Sequence, residues 1–144
     1  MGLDLANSNV NRNITLAGTS VAIFTFLLFS LYPRYSFGDI DPILFQFTLA
    51  IIVSVIFSLV VSATYYYGTT LELSLPGGQG TAIFGKAEAF WLIGYSLLLL
   101  EPSLILFTVN LSAVALYALV LWFSYLYLTW LQFKKLTKKM RITR

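Results

Sequence analysis

The side chains that could do chemistry in this sequence are limited by what it lacks. Its 144 residues include no His and no Cys. This excludes metal ligation by imidazole or thiolate, His- or Cys-ligated haem, cysteine-ligated iron–sulfur clusters, cysteine nucleophiles and Ser-His-Asp catalysis within the chain. A Ser/Lys pair is the remaining option, but Lys86 is the one basic residue near an apolar segment apart from those at the segment flanks. We therefore expect no catalytic site, no metal site and no cofactor, and predict that the protein is not an enzyme.

Three polar side chains lie within or beside long apolar segments, namely Gln46, Glu101 and Asn110. Glu101 is the one carboxylate that could face a membrane interior, and Pro102 beside it favours a turn at the membrane interface. The alternative is a buried Glu101 that binds a proton or an ion. For Gln46 and Asn110, we expect hydrogen bonds between helices, worth about 0.6 to 2 kcal/mol each.

Small or polar residues recur at every fourth position of one apolar segment. The stripe comprises Gln46, Ala50, Ser54, Ser58, Ser62 and Tyr66. Because small residues let helix backbones approach closely in lipid, the stripe predicts a helix-packing face. A hydrated path lined by the serines is the alternative. Shorter faces of the same kind comprise Gly18 with Ala22, and Ser112 with Ala115 and Ala118.

The elements that must position these residues are membrane spans. Residues 13–33, 42–71 and 102–133 contain no Asp, Glu, Lys or Arg. Each run exceeds the roughly 20 helical residues that cross a hydrocarbon layer about 30 Å thick. Hydrophobic residues make up 58% of the chain and charged residues 10%, a balance that a soluble domain does not have. The chain is therefore predicted to be an integral membrane protein.

An all-α protein with four transmembrane helices accounts for these runs. The spans are predicted at about 14–32, 43–67, 83–100 and 103–133, within a single domain of residues 1–133 followed by a basic tail of residues 134–144. The first apolar run is longer than the apolar core of a signal peptide, so it is predicted to be a membrane span and not a cleaved signal peptide. In the second span, Asp41 is expected to cap the helix before Pro42, and Gly68 to end it.

The connections follow from proline and glycine. Pro33 is predicted to end the first span, and Pro102 to begin the fourth directly after Glu101. Between the second and third spans, residues 70–75 alternate loosely in polarity and residues 76–80 are rich in glycine, which indicates a short hairpin or a flexible loop. This glycine cluster lacks the Lys and Ser/Thr of a phosphate-binding loop, so nucleotide binding is not expected.

The C-terminal tail carries six of the nine basic residues of the chain. They are Lys134, Lys135, Lys138, Lys139, Arg141 and Arg144. The positive-inside rule places this tail in the cytoplasm, and four spans then place the N-terminus there too, with the plasma membrane as the expected location. The tail is expected to contact lipid headgroups, at about 1 kcal/mol per basic residue. Because the basic charge is local, no nucleic acid partner is expected.

Three functions fit this pattern. The preferred hypothesis is a non-catalytic accessory or assembly subunit of a larger membrane complex, since polar residues in the spans are suited to joining helices. The second is a channel or transporter formed by oligomerisation, with Ser54, Ser58, Ser62 or Asn110 lining its path. The third is a lipid-binding, membrane-organising protein that acts through the tail. The expected partners are the lipid bilayer and either another membrane protein or further copies of the chain.

Overall fold

Four α-helices make up the fold in the computed structural model, which describes residues 2–74 and 81–142. They are α1 (Gly2–Ser36), α2 (Pro42–Ser74), α3 (Thr81–Thr108) and α4 (Ser112–Ile142). The described residues contain no β-strand. The all-α prediction with four helices is therefore confirmed.

Each helix contains a segment long and apolar enough to cross a membrane. These segments are Asp4–Ser36, Pro42–Leu71, Ile83–Thr108 and Ser112–Gln132. The polar segment before residue 14 belongs to α1, so this helix begins well before the predicted first span. Because helices of 28 to 35 residues exceed the roughly 20 residues needed to cross the hydrocarbon layer, their ends reach beyond it.

Consecutive helices pack against one another in antiparallel order. Asn13 near the start of α1 meets Ser62 in the second half of α2, and Ser62 meets Ala87 near the start of α3. At the other end of α3, Ser103 meets Ala115 near the start of α4. The first three helices enclose most of the buried residues, whereas α4 packs on the outside against α3.

Two apolar clusters fill the space between α1, α2 and α3. The first apolar cluster consists of Leu27, Leu31, Ile40, Phe45 and Ile52. The second apolar cluster consists of Ala17, Val55 and Leu59. They occupy successive levels along the helices, and the polar contacts described below lie between them and beyond them.

The connection between α1 and α2 confirms one predicted cap and corrects another boundary. Asp41 Oδ1 accepts a hydrogen bond from the Leu44 amide at 2.8 Å, so Asp41 caps α2 as predicted. The prediction that Pro33 ends the first helix is wrong, because α1 continues to Ser36. Gly38, with φ of 81°, lies in the left-handed region and allows the Asp39 amide to bond back to the Arg34 carbonyl, a C-cap that glycine forms without steric strain.

The predicted break at Glu101 and Pro102 is also wrong. Helix α3 passes through Pro102 and ends at Thr108, so the third span is longer and the fourth shorter than predicted. A proline inside a helix removes one backbone donor, and membrane helices tolerate this loss when neighbouring helices stabilise them. The apolar residues after Pro102 supply such packing, since Leu104 is buried and Ile105 packs against the first apolar cluster.

The region between α2 and α3 was predicted to be a hairpin or loop from residue 69 onward. Helix α2 instead continues to Ser74, so Gly68 lies inside the helix and residues 70–74 do not form a strand. Thr69 and Thr70 bond to carbonyl oxygens of the preceding turn, which supports the extension. The glycine-rich turn at residues 76–80 lies outside the described residues.

Candidate functional site

The interior of the three-helix core contains most of the buried polar side chains. They include Asn9, Asn13, Ser20, Thr48, Ser58, Ser62, Glu101 and Thr108. The outside of the helices carries large hydrophobic side chains instead, among them Phe26, Phe29 and Phe57. This distribution suits a bilayer, because hydrocarbon surrounds the molecule and polar groups must find partners between the helices.

A chain of hydrogen bonds through Asn13 and Ser62 joins all three core helices. Asn13 Nδ2 donates to Ser62 Oγ at 2.8 Å, and Ser62 Oγ donates to the Ala87 carbonyl at 2.8 Å. Asn13 and Ser62 are both fully buried. The remaining acceptor, Asn13 Oδ1, has no hydrogen-bond partner within the described part of the chain.

A second polar group lies at the same end of the core. The Arg12 guanidinium is 4.5 Å from the centre of the Trp91 ring, and the Tyr66 hydroxyl donates a hydrogen bond to Glu88. Phe84 packs its ring against the fully buried Tyr66 at a steep angle. The cation–π contact attaches Arg12 of α1 to α3, and the hydroxyl–carboxylate contact attaches Glu88 of α3 to α2.

Glu101 lies deeper, between α1 and α3. Its side chain is 1% exposed, and Oε1 accepts a hydrogen bond from Ser20 Oγ at 3.5 Å. Oε2 is buried and has no partner among the described residues. Ser20 follows Ala17 of the second apolar cluster and precedes Leu27 of the first, so apolar layers lie on both sides. Glu101 is thus a carboxyl group inside a membrane-spanning segment, about 10 Å from the end of α3 at 1.5 Å per residue.

Further hydroxyl and indole contacts join the helices along α3. Thr48 and Thr108 hydroxyl oxygens are 3.1 Å apart between α2 and α3. Two hydrogen bonds attach α4 to α3, since Ser103 Oγ donates to the Ala115 carbonyl at 2.9 Å and Trp122 Nε1 donates to the Ser96 carbonyl at 2.8 Å.

At Gly94, α2 and α3 lie close together. A Cβ atom at this position would lie 3.1 Å from two side-chain carbons of Leu59 and 3.2 Å from Ser58 Cβ. The absence of a side chain therefore lets the two helices pack directly against each other, as small residues do in membrane helices.

The predicted stripe on α2 divides between two environments. Ser58, Ser62 and Tyr66 are buried, whereas Gln46, Ala50 and Ser54 are exposed on the outside. A repeat of four residues advances about 40° per step around a helix of 3.6 residues per turn, so five steps rotate the stripe to the opposite side. Outside, Ser54 bonds to the Ala50 carbonyl, and Gln46 Nε2 donates to the Tyr35 hydroxyl at 3.2 Å.

The two predicted candidates for buried polar residues, Asn110 and Glu101, have different positions. Asn110 is exposed in the turn between α3 and α4, with φ of 61°, and does not lie inside the fourth helix. Glu101 is buried, the alternative to a turn at the membrane interface, because α3 continues past Pro102. Of the predicted headgroup residues, Lys134 is exposed with Nζ 5.1 Å from the Trp130 ring centre. The side chains of Lys135, Lys138, Lys139, Arg141 and Arg144 lie outside the described ones.

The two shorter packing faces predicted on the first and fourth helices lie in different environments. Ala115 is buried against α3 and Ala118 is half-buried, while Ser112 is exposed at the start of α4. Gly18 and Ala22 lie on the outside of α1 with Thr15 and Thr19, and no atom lies within 4 Å of a Cβ built at Gly18. Thr15 and Thr19 bond to carbonyl oxygens of the preceding turn. This outward face is called the α1 face below.

The residues that sequence reasoning missed are Asn13, Ser20 and Gly94. A signal was present for the first two, because Asn9, Asn13, Ala17 and Ser20 follow one another at steps of three or four and form one buried face of α1. That periodicity is typical of a helix face. The predicted first span begins at residue 14, which separates Asn9 and Asn13 from Ala17 and Ser20 on this face.

Chemically, this arrangement offers hydrogen bonds between helices and one carboxyl group with a free oxygen. The described residues contain no group of three or more Asp and Glu that could hold a metal ion. Comparison of the chain with protein-family models, with curated proteins and with solved structures finds no match.

Proposed function

We propose that this protein is a non-catalytic accessory or assembly subunit of a larger complex in the plasma membrane, with both termini in the cytoplasm. The observation that supports this proposal is the α1 face. Thr15, Gly18, Thr19 and Ala22 present small side chains outward, and no described helix covers them. A partner helix is the neighbour to which such a surface is best suited in a bilayer.

Lipid packing alone does not favour association, because lipid tails are as apolar as leucine. Membrane helices associate where small side chains let their backbones come close. Gly18 and Ala22 are four residues apart, so they lie on the same face of α1. The same chemistry already joins α2 and α3 at Gly94. The hydroxyl groups of Thr15 and Thr19 donate hydrogen bonds to carbonyl oxygens of α1 itself. The α1 face is therefore stable in lipid before a partner binds.

Crosslinking from single cysteines tests this proposal, since the chain has no native cysteine. Thr19→Cys places a thiol on the α1 face, and Thr64→Cys is the matched control, because Thr64 is also exposed and bonds to the carbonyl of the preceding turn. A thiol-directed photocrosslinker in native membranes should give a discrete adduct from position 19 and none from position 64. An adduct of twice the chain mass identifies a second copy, and another mass identifies a different protein.

The proposal is contradicted if folded protein gives no adduct from position 19, or equal adducts from both positions. Gly18→Leu provides a second check within the Thr19→Cys background. A bulkier side chain on the α1 face should remove the adduct without unfolding the protein, because the space around Gly18 is open.

A second candidate function, transport of protons or a monovalent cation, is favoured by Glu101. The channel or transporter hypothesis then centres on this carboxyl group instead of the serine stripe, because Ser54 lies outside and Ser62 is committed to hydrogen bonds. Ionisable groups inside membrane spans commonly mark proton or ion pathways. An unpartnered Oε2 leaves one oxygen free to bind a cation or a proton.

Flux across proteoliposomes tests this second candidate. Wild-type protein should carry protons or a monovalent cation, Glu101→Gln should abolish the flux, and Asp39→Asn, which alters an exposed carboxylate in the turn after α1, should leave it unchanged. Absence of flux from the wild type, or equal flux from Glu101→Gln, would exclude this function and leave the assembly proposal standing.

A further inference from the structure

An apolar groove of about 410 Å³ lies between α3 and α4 on the outside of the molecule. Leu92, Ile93 and Leu97 line it from α3, and Leu126, Thr129 and Trp130 line it from α4. We infer that this groove binds one acyl chain of an anionic phospholipid, whose phosphate is bound by Lys134. This inference is independent of the α1 face and assigns a lipid site to a different side of the molecule.

The end of the groove carries a positive charge. Trp130 lines the groove, and Lys134 lies one helical turn further along α4 with its Nζ 5.1 Å from the Trp130 ring centre. Lys134 is exposed, so its ammonium group remains accessible to an anion. Trp side chains prefer the level of the headgroups, which places Lys134 at the depth of lipid phosphates.

The size of the groove favours an acyl chain over a protein helix. Its volume is near the lower end of the range of about 300 to 1,000 Å³ that small-molecule sites occupy. A helix with its side chains is about 10 to 12 Å across and needs a broader surface. The lining is almost entirely aliphatic and aromatic, which suits an alkyl chain.

A second groove provides an internal comparison. It lies between α1 and α2, has a volume of about 300 Å³, and is lined by Val10, Ile14, Val60, Ala63, Thr64 and Tyr67. Its lining includes no basic residue, and neither of the described cation–π contacts involves one of its lining side chains, unlike Trp130 with Lys134 in the first groove. An apolar groove without an available cation is expected to accept zwitterionic and anionic lipids equally.

Fluorescence quenching by brominated lipids tests the inference. Trp91→Phe with Trp122→Phe leaves Trp130 as the single tryptophan of the 144-residue chain, which has three. In phosphatidylcholine vesicles, a small fraction of phosphatidylglycerol with brominated chains should quench Trp130 more strongly than the same fraction of brominated phosphatidylcholine. Lys134→Gln should lower this preference about fivefold, the equivalent of about 1 kcal/mol per basic residue at the surface.

Two further variants separate a specific site from general lipid contact. Ile93→Phe places a larger side chain in the groove at a half-exposed position and should reduce quenching by both lipids. Lys86→Gln is the matched charge control, because Lys86 is exposed at the same end of the molecule but outside the groove lining, and it should change nothing. If the tryptophan variants do not fold, the lipid that copurifies with wild type, Lys134→Gln and Ile93→Phe is measured by mass spectrometry.

Equal quenching by both brominated lipids, or a preference unaffected by Lys134→Gln, would overturn the inference. So would copurified anionic lipid that is retained equally by wild type and both groove variants. A groove from which brominated chains are excluded in the complete protein would indicate that a protein segment occupies it, and would also overturn the assignment.

Discussion

Single polar side chains determine how the first three helices meet. Asn13, Ser20 and Thr48 each contact a neighbouring helix from a buried position, and each contact satisfies a group that hydrocarbon cannot. The sequence predicted interhelical hydrogen bonds at Gln46 and Asn110. Gln46 of α2 does donate to the Tyr35 hydroxyl of α1, from an exposed position, whereas Asn110 is exposed in the turn after α3. Gln46 and Asn110 lie within apolar runs, whereas Asn13 lies at the edge of one. Asn13 therefore does not stand out in the sequence as a polar residue inside an apolar segment.

Asn13→Ala should lower the free energy of unfolding by about 1 kcal/mol, the typical value of a hydrogen bond between membrane helices. The reason is the loss of the bond to Ser62 Oγ at 2.8 Å. Asn11→Ala is the control, because Asn11 is exposed and contributes its backbone carbonyl to Thr15. Reversible unfolding in mixed micelles measures both, and equal stabilities for the two variants would contradict the assigned role of Asn13.

Gly94→Ala should destabilise the protein by about 1 to 3 kcal/mol, the usual cost of inserting an atom into a packed core. Its new Cβ would approach Leu59 to 3.1 Å and Ser58 to 3.2 Å.

Gly85→Ala serves as the matched control for that substitution, since both glycines lie in α3 and no atom lies within 4 Å of a Cβ at Gly85. Here we expect a gain of up to about 1 kcal/mol from helix propensity. Unfolding measurements in which both substitutions change stability in the same direction would argue against a close approach of α2 and α3 at Gly94.

At the scale of helices, the number of spans could be predicted from charge-free runs, but their ends could not be predicted from proline alone. Pro33 and Pro102 both lie inside helices, because the surrounding packing outweighs the loss of one backbone donor. The ends of α1 and α3 are instead followed by the left-handed residues Gly38 and Asn110. Asp41, by contrast, was predictable as a cap because its carboxylate bonds locally and needs no tertiary contact.

Asn110→Ala should fray the end of α3 and lower the free energy of unfolding by about 1 to 2 kcal/mol. The reason is that the left-handed conformation is unfavourable for residues with a Cβ atom, and asparagine tolerates it better than alanine. At φ of 61°, Asn110 lets the Leu111 amide bond to the Leu106 carbonyl at 2.9 Å. Asn110→Gly should retain or raise stability, because glycine adopts this conformation freely. Thermal unfolding that ranks alanine above glycine at this position would contradict the cap.

For the whole molecule, antiparallel packing places the start of α1 and the end of α4 at one end and the turn after α1 at the other. The basic tail supports a cytoplasmic position for the first of these ends. A thiol reagent that cannot cross the membrane should therefore label Asp39→Cys in intact cells. Labelling of Asn7→Cys and Gln132→Cys should require permeabilised cells. If only one of these two positions is labelled in intact cells, the antiparallel packing order is wrong.

The buried partners of α1 also have consequences for synthesis. Asn13 binds Ser62, whose own acceptor belongs to Ala87, and Ser20 binds Glu101. Ser62 leaves the ribosome with α2, whereas Ala87 and Glu101 leave it only with α3. We therefore expect α1 to enter the bilayer with unsatisfied polar groups and to reach its final depth and rotation late, once α3 has emerged from the insertion machinery. Nascent chains that end before Glu101 should hold the first helix in a looser and more hydrated position than the finished protein does.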